Sequence, residues 1–191
     1  LETVGANVEV DKRKGRPRFG AIQLLLAAFL CLLIVLSLVA PNFLTFTNIT
    51  NILRQVSMIA IMAVGMTMVI LTGEIDLSVG SMVAFSGVVF AWLAVEAKLS
   101  CPLAALITLA MGAAIGLLIG WLQTRFNVPS FIITLGLFQA LRSAGYVLTN
   151  AFPIAPLPDE IAYLGRGVVA GIPVPVILMI IAYVIGFILL N

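Results

Sequence analysis

The stretch LTGEIDLSVGSM (71–82) places two carboxylates, Glu74 and Asp76, two positions apart between long apolar runs. Acids so placed can do three kinds of chemistry. They can accept from the first N–H groups of a helix, hold a coupling ion or proton, or meet a polar ligand on a pathway. As a cap, Asp76 would accept from backbone N–H groups near Ser78 and Val79, a contribution of about 0.5–2 kcal/mol. Gly73 suits a chain break, and Ser78 and Gly80 continue the small, polar stretch beyond it. A charged Asp at the centre of a spanning helix costs about 2.5–3.5 kcal/mol. Irregular backbone at membrane depth survives only inside protein or facing water. The acids therefore belong at an interface or inside a polar site, and the readings are compatible, because broken helices are used to build sites.

A second constellation lies in FIITLGLFQALRSAGYVLTN (131–150). At 100° per residue, Gln139, Arg142, Ser143, Tyr146, Thr149 and Asn150 fall within a stripe about 120° wide, with Ile, Leu, Phe and Val opposite. Arg142 lies about 12 Å of helix rise from Asn150, so its charge would reach water only by strained snorkelling. A polar stripe facing lipid is expensive. It predicts either polar contacts to a partner helix or an aqueous path. Pairing of Arg142 with Glu74 or Asp76 is the matching expectation for buried unlike charges.

Other chemistries are excluded. The chain has no histidine, so Ser/His and Cys/His pairs are impossible. Its two cysteines, Cys31 and Cys101, lie far apart with no ligand cluster around either, which argues against a disulfide or metal site. No G-x-x-x-x-G-K-S/T occurs, so the chain has no P-loop with which to bind ATP.

The elements that position these residues are read from hydropathy. Of 191 residues, 62% are hydrophobic and 9% charged, and the mean hydropathy is +1.22. Soluble domains carry about 25% charged residues. Apolar runs near 20 residues match a hydrocarbon core of about 30 Å. They fall roughly at 19–40, 52–71, 77–95, 103–122, 131–150 and 172–190. The expected fold is all-α, a polytopic transmembrane helical bundle of about six spans with a break at 72–76. A short interfacial helix start is expected near Thr47, and Pro102 is well placed at a helix start.

Residues 1–18 form a basic tail, and Lys12, Arg13, Lys14, Arg16 and Arg18 within it hold the N-terminus in the cytoplasm by the positive-inside bias. One short basic tail without interleaved aromatics does not suit a nucleic-acid partner. The run that follows is longer than a signal peptide's apolar region and reads as a retained span. Counting crossings puts the break on or near the cytoplasmic side, or part-way into the membrane. Gly112, Gly116 and Gly120 share one face of the fourth span and suit close helix packing. Met58, Met62 and Met66 form a similar stripe, most simply a packing face.

NILRQVSMIAIMAVGMTMVILTGEIDLSVGSMVAFSGVV resembles the permease subunits of bacterial ribose/xylose-type ABC sugar importers, the binding-protein-dependent transport permease family. Their hallmark is a T-G-G/E-I-D-L-S-V-G-S segment after just such an apolar span. The likeness continues at VPSFIITLGLFQALRSAGYVLT, where the family has a V-P-x-F-I-x-T-L-G run and an arginine that matches Arg142, and ends at GIPVPVILMIIAYVIGFILLN. It covers about 40–190.

The resemblance implies a non-enzymatic membrane subunit, without a cofactor of its own, that forms a monosaccharide path with a second permease subunit, as a homo- or heterodimer. A periplasmic sugar-binding protein would deliver the sugar, and cytoplasmic ATPase subunits would bind ATP and drive alternating access. The setting would be the lipid of the bacterial cytoplasmic (inner) membrane. Gly73, Glu74, Asp76, Ser78 and Gly80 would be the signature at the break, and Gln139, Arg142, Ser143 and Tyr146 would line the path. Family members continue with an R-T-x-F-G-R-like stretch, an A-I-G-G-N-type segment and further spans. Residues 19–191 are therefore expected to be the N-terminal part of a longer permease. Two alternatives stand beside this one: a secondary transporter or channel with an acidic coupling site at the broken helix, and a non-functional fragment.

Overall fold

The computed structural model describes residues 20–191, and the basic tail 1–18 lies outside the described residues. The chain forms two compact units, Leu1–Ile49 and Thr50–Asn191.

In the first unit, helix α1 spans Ala21–Val39. It ends at Ala40, whose N–H still donates to the Leu36 carbonyl at 2.9 Å, just before Pro41. A turn follows, in which Asn48 Nδ2 donates to the Phe43 carbonyl at 2.7 Å. Thr45 Oγ1 accepts from the Asn48 N–H at 3.3 Å, satisfying one of the free donors at a new helix start. That helix, α2, runs unbroken over Phe46–Leu71, and from Thr50 onward it belongs to the second unit. The interfacial start expected near Thr47 is thus the first turn of one long helix, since no proline interrupts the run.

In the second unit, α3 covers Val79–Ala91 and continues through one π-helical turn, Trp92–Glu96. Helix α4 spans Cys101–Phe126, with Pro102 in its first turn where a missing N–H does no harm. It stops at Asn127, which adopts a left-handed φ of 54°, and Arg125 sits in its last turn, where a cation complements the helix dipole. Helix α5 spans Ser130–Thr149 and ends at a left-handed Asn150. Helices α3, α4 and α5 pack on one another.

The polar segment before the last span contains structure of its own. Helix α6, Asp159–Arg166, has two acids in its first turn and a base in its last, as the dipole favours. Strands β1 (Val168–Val169) and β2 (Ile172–Pro173) then pair antiparallel. Ala170 and Gly171 join them with φ of 51° and 83°, the left-handed pair that a tight hairpin requires. Helix α7, Val174–Leu190, packs against α6 and β2.

Among the described residues five helices are long and apolar enough to cross a membrane, and α7 is a shorter apolar helix of 17 residues, about 25 Å of rise. The chain is an all-α, multi-pass membrane protein, with five such helices and α7 where about six spans were expected. Its buried share rises from 0% in the α1 window to 17% in α5, which makes α5 the most enclosed helix of the set. Glycines behave in two ways. A Cβ on Gly186 of α7 would come within 2.6 Å of Val64 Cγ1 on α2, so only glycine permits that approach. At Gly112, Gly116 and Gly120 a Cβ would meet nothing within 4 Å. The glycine face expected to pack closely is left open within this chain.

Candidate functional site

The break begins with a complete helix stop. Gly73 takes a left-handed φ of 80°. Its N–H donates to the Ile70 carbonyl at 2.9 Å while the Glu74 N–H donates to the Val69 carbonyl at 3.3 Å. This paired pattern satisfies the last carbonyls of α2, and only glycine takes the central conformation without strain.

In the segment that follows, α5 supplies backbone partners for Ile75 and Leu77. Ser130 Oγ accepts from the Ile75 N–H at 3.2 Å and lies 3.1 Å from the Ile75 carbonyl, to which it can donate. Thr134 Oγ1, one turn further, accepts from the Leu77 N–H at 3.1 Å. Thr134 is 0% exposed and Ser130 is also buried. Two buried hydroxyls thus satisfy backbone groups that the non-helical segment leaves without a helical partner.

Asp76 turns back on its own chain. Its Oδ1 accepts from the Ser78 N–H at 2.7 Å and from Ser78 Oγ at 2.6 Å. Ser78 is buried and precedes the first residue of α3, and its carbonyl accepts from Ser81 Oγ at 2.8 Å. No such bond reaches Asp76 from Val79. Glu74 is half-buried beside it. Neither acid pairs with Arg142, and among the described residues no side chain does. The reason is register: the break meets α5 at Ser130 and Thr134, whereas Arg142 lies two turns beyond Thr134, about 12 Å of rise.

Arg142 belongs to a different feature, a cavity of about 760 Å³ between α3 and α5. Its α3 wall is a face of small residues, Gly80, Ala84, Gly87 and Ala91, at helical spacing. The α5 wall presents Phe138, Arg142, Tyr146 and Thr149, and the segment after α5 adds Phe152. Arg142 is the one charged residue among the described residues of the lining. The polar stripe of α5 therefore divides. Arg142, Tyr146 and Thr149 line the cavity, while Gln139, Ser143 and Asn150 are exposed away from it. Phe85, Phe138 and Phe152 were not singled out from the sequence, although the spacing of small residues on α3 signals the opening they face.

Connectors converge at the two ends of the bundle as alternate crossings require. The break meets the start of α5 at one end. At the other, Arg54 Nη2 of α2 donates to the Arg166 carbonyl at 2.6 Å, and Glu160 of α6 lies beside Cys101 at the head of α4. Chemically, the cavity offers a guanidinium, a phenol and two hydroxyls on aromatic and small apolar walls. That set can hydrogen-bond a polar ligand and shelter its apolar faces. Among the described residues no group of three or more potential metal ligands is gathered.

Apolar helices around a broken segment, with a cavity beside it, make this a multi-pass membrane protein. The chain belongs to the family described as branched-chain amino acid transport system / permease component, whose model matches residues 48–190. Among curated proteins it is similar to the ribose import permease protein RbsC of Escherichia coli (strain K12), at 41% identity over 170 residues, 87% of this chain and 53% of that protein. It is 37% identical over 180 residues to the L-arabinose ABC transporter permease protein AraH of Azospirillum brasilense, 91% of this chain and 53% of that one. It is 39% identical over 147 residues to the xylose transport system permease protein XylH of Haemophilus influenzae, 77% and 39% of the two chains. The chain spans about half the length of the curated relatives it matches. No solved structure matches it.

Proposed function

We propose that the chain is part of a membrane-spanning permease subunit of an ATP-driven monosaccharide importer in the bacterial cytoplasmic membrane. The observation that carries this reading is the cavity between α3 and α5, where Arg142 and Tyr146 stand among aromatic and small apolar residues. A neutral sugar needs donors for its hydroxyls and flat apolar surface for its C–H faces, and this lining supplies both. The relatives named for ribose, arabinose and xylose point to the same substrate class.

In this reading Arg142 and Tyr146 line the translocation path, and Gln139 and Ser143, exposed on the neighbouring face of α5, turn towards a second permease subunit. Gly73, Glu74, Asp76, Ser78 and Gly80 form the broken element that sets the cavity's inner end. A periplasmic sugar-binding protein delivers the sugar. ATP is bound and hydrolysed by separate cytoplasmic ATPase subunits, since this chain carries no P-loop.

The test is uptake of labelled ribose, xylose and arabinose by membranes that hold the complete assembly, with and without ATP and the binding protein. Uptake of at least one pentose is expected to require both and to fall at least about tenfold in Arg142→Ala, the loss of one charged hydrogen-bond donor. Uptake driven by an ion gradient without ATP would overturn the proposal and favour a coupling role for Glu74 and Asp76.

A further inference from the structure

The segment that closes the far end of the cavity is held in an unusual way. Residues Ala151–Leu157 leave α5 and pass over the cavity, contributing Ala151, Phe152, Pro153, Ile154 and Leu157 to its lining. They lead directly into α6. That helix lies against α7 but has no buried residue of its own. A segment that buries so little apolar surface has little to hold it in place and belongs to the low-stability part of a fold.

What holds it is polar and sits at its ends. Arg54 Nη1 accepts no role in the cavity; it donates to Asn51 Oδ1 at 3.0 Å, which steadies the side chain along α2. Nη2 then donates to the Arg166 carbonyl at 2.6 Å, a charge-assisted bond to the last residue of α6. At the first turn of α6, Glu160 lies beside Cys101. The start of the segment is strained: Asn150 and Ala151 both take left-handed φ, 50° and 61°. Alanine's Cβ disfavours that conformation, so release of the segment would relieve it.

We propose that Ala151–Arg166 is a strap that gates the cavity at the α6 end, hinged at Asn150–Ala151 and latched by Arg54. The strap opens when the bond from Arg54 to the Arg166 carbonyl is broken. This goes beyond the transport reading and does not depend on which solute, if any, enters.

The test reads access to the cavity directly. In the full chain, Cys31→Ala and Cys101→Ser remove the native thiols, and Ser81→Cys places a reporter at a cavity-lining residue that is 5% exposed. A charged, membrane-impermeant methanethiosulfonate is the probe, and Asn42→Cys, in the exposed turn before α2, is the control reporter. Adding Arg54→Ala is expected to speed labelling of Ser81→Cys about tenfold, the scale of one lost charge-assisted hydrogen bond. Arg54→Lys, which keeps a charged donor but loses the fork, should fall between. Labelling at Asn42→Cys should not change. Rates at Ser81→Cys within twofold of each other, with and without Arg54, would overturn the proposal, as would equal acceleration at both reporters. If Arg54→Ala does not give a single monodisperse species, Arg54→Lys is judged alone by the same twofold threshold.

Discussion

The two halves of α5 solve opposite problems with similar residue types. Near its start, Ser130 and Thr134 are buried hydroxyls that satisfy the backbone of Ile75 and Leu77. Towards its end, Arg142 and Tyr146 face a cavity and have no side-chain hydrogen-bond partner among the described residues. The difference teaches what polar groups do at membrane depth. Where they face irregular backbone they act as structure, replacing water. Where they face open space they are available to something else, and an unpaired cation there is a functional group by default. The same helix thus carries a closed, self-satisfied end and an open one.

This contrast can be broken by substitution. The largest loss of stability is expected for Thr134→Val, which keeps the shape of a fully buried side chain and leaves the Leu77 N–H without its acceptor. A cost of about 1–3 kcal/mol follows, read as a lowered thermal unfolding midpoint in detergent. An unchanged midpoint would mean that the break is not pinned by α5. Asp76→Ala comes next, at about 0.5–2 kcal/mol, because it removes the acceptor of the Ser78 N–H and hydroxyl. Asp76→Asn keeps a side-chain oxygen there and should recover most of that loss in the same melt. If instead Asn were as damaging as Ala, the charge rather than the turn would matter, as a coupling site requires.

At the open end the order reverses. Gly87→Leu projects into the cavity, where a Cβ meets nothing within 4 Å. It should leave stability unchanged or raise it by up to about 1 kcal/mol through helix propensity, while sugar uptake by the assembly is abolished. Retained uptake would separate the cavity from the path. Arg142→Ala is expected to have the smallest effect on the melt, within about 0.5 kcal/mol. A loss of several kcal/mol would show that Arg142 is a structural residue and would erase the distinction between the two halves of α5.

Much of the architecture can be read locally. Each apolar run is long enough to predict a helix by length alone, and prolines and glycines mark where helices stop or start. Thr45, Gly73, Pro102 and Asn127 all act within a few residues of their own position, so their effects are visible in one dimension. The hairpin and α6 within 151–173 were harder, because short elements that bury little carry almost no periodic signal. The α5 stripe was legible as polar, but its division was not. Residues 142, 146 and 149 reach the cavity while 139 and 143 do not, and that depends on how α5 is rotated against α3.

By itself the sequence determined that this chain crosses a membrane several times and that two successive spans are parted by a break beside Asp76, because hydrophobic length and chain breaks are local properties. Only the tertiary structure decided that Ser130 and Thr134, more than fifty residues away, would satisfy that interruption. It also decided that the small face of α3 would open a cavity onto Arg142 instead of bringing Arg142 to the acids. The physical reason is that hydrogen-bond partners across helices follow from rotation and register in three dimensions, which hydropathy, averaged along the chain, does not contain.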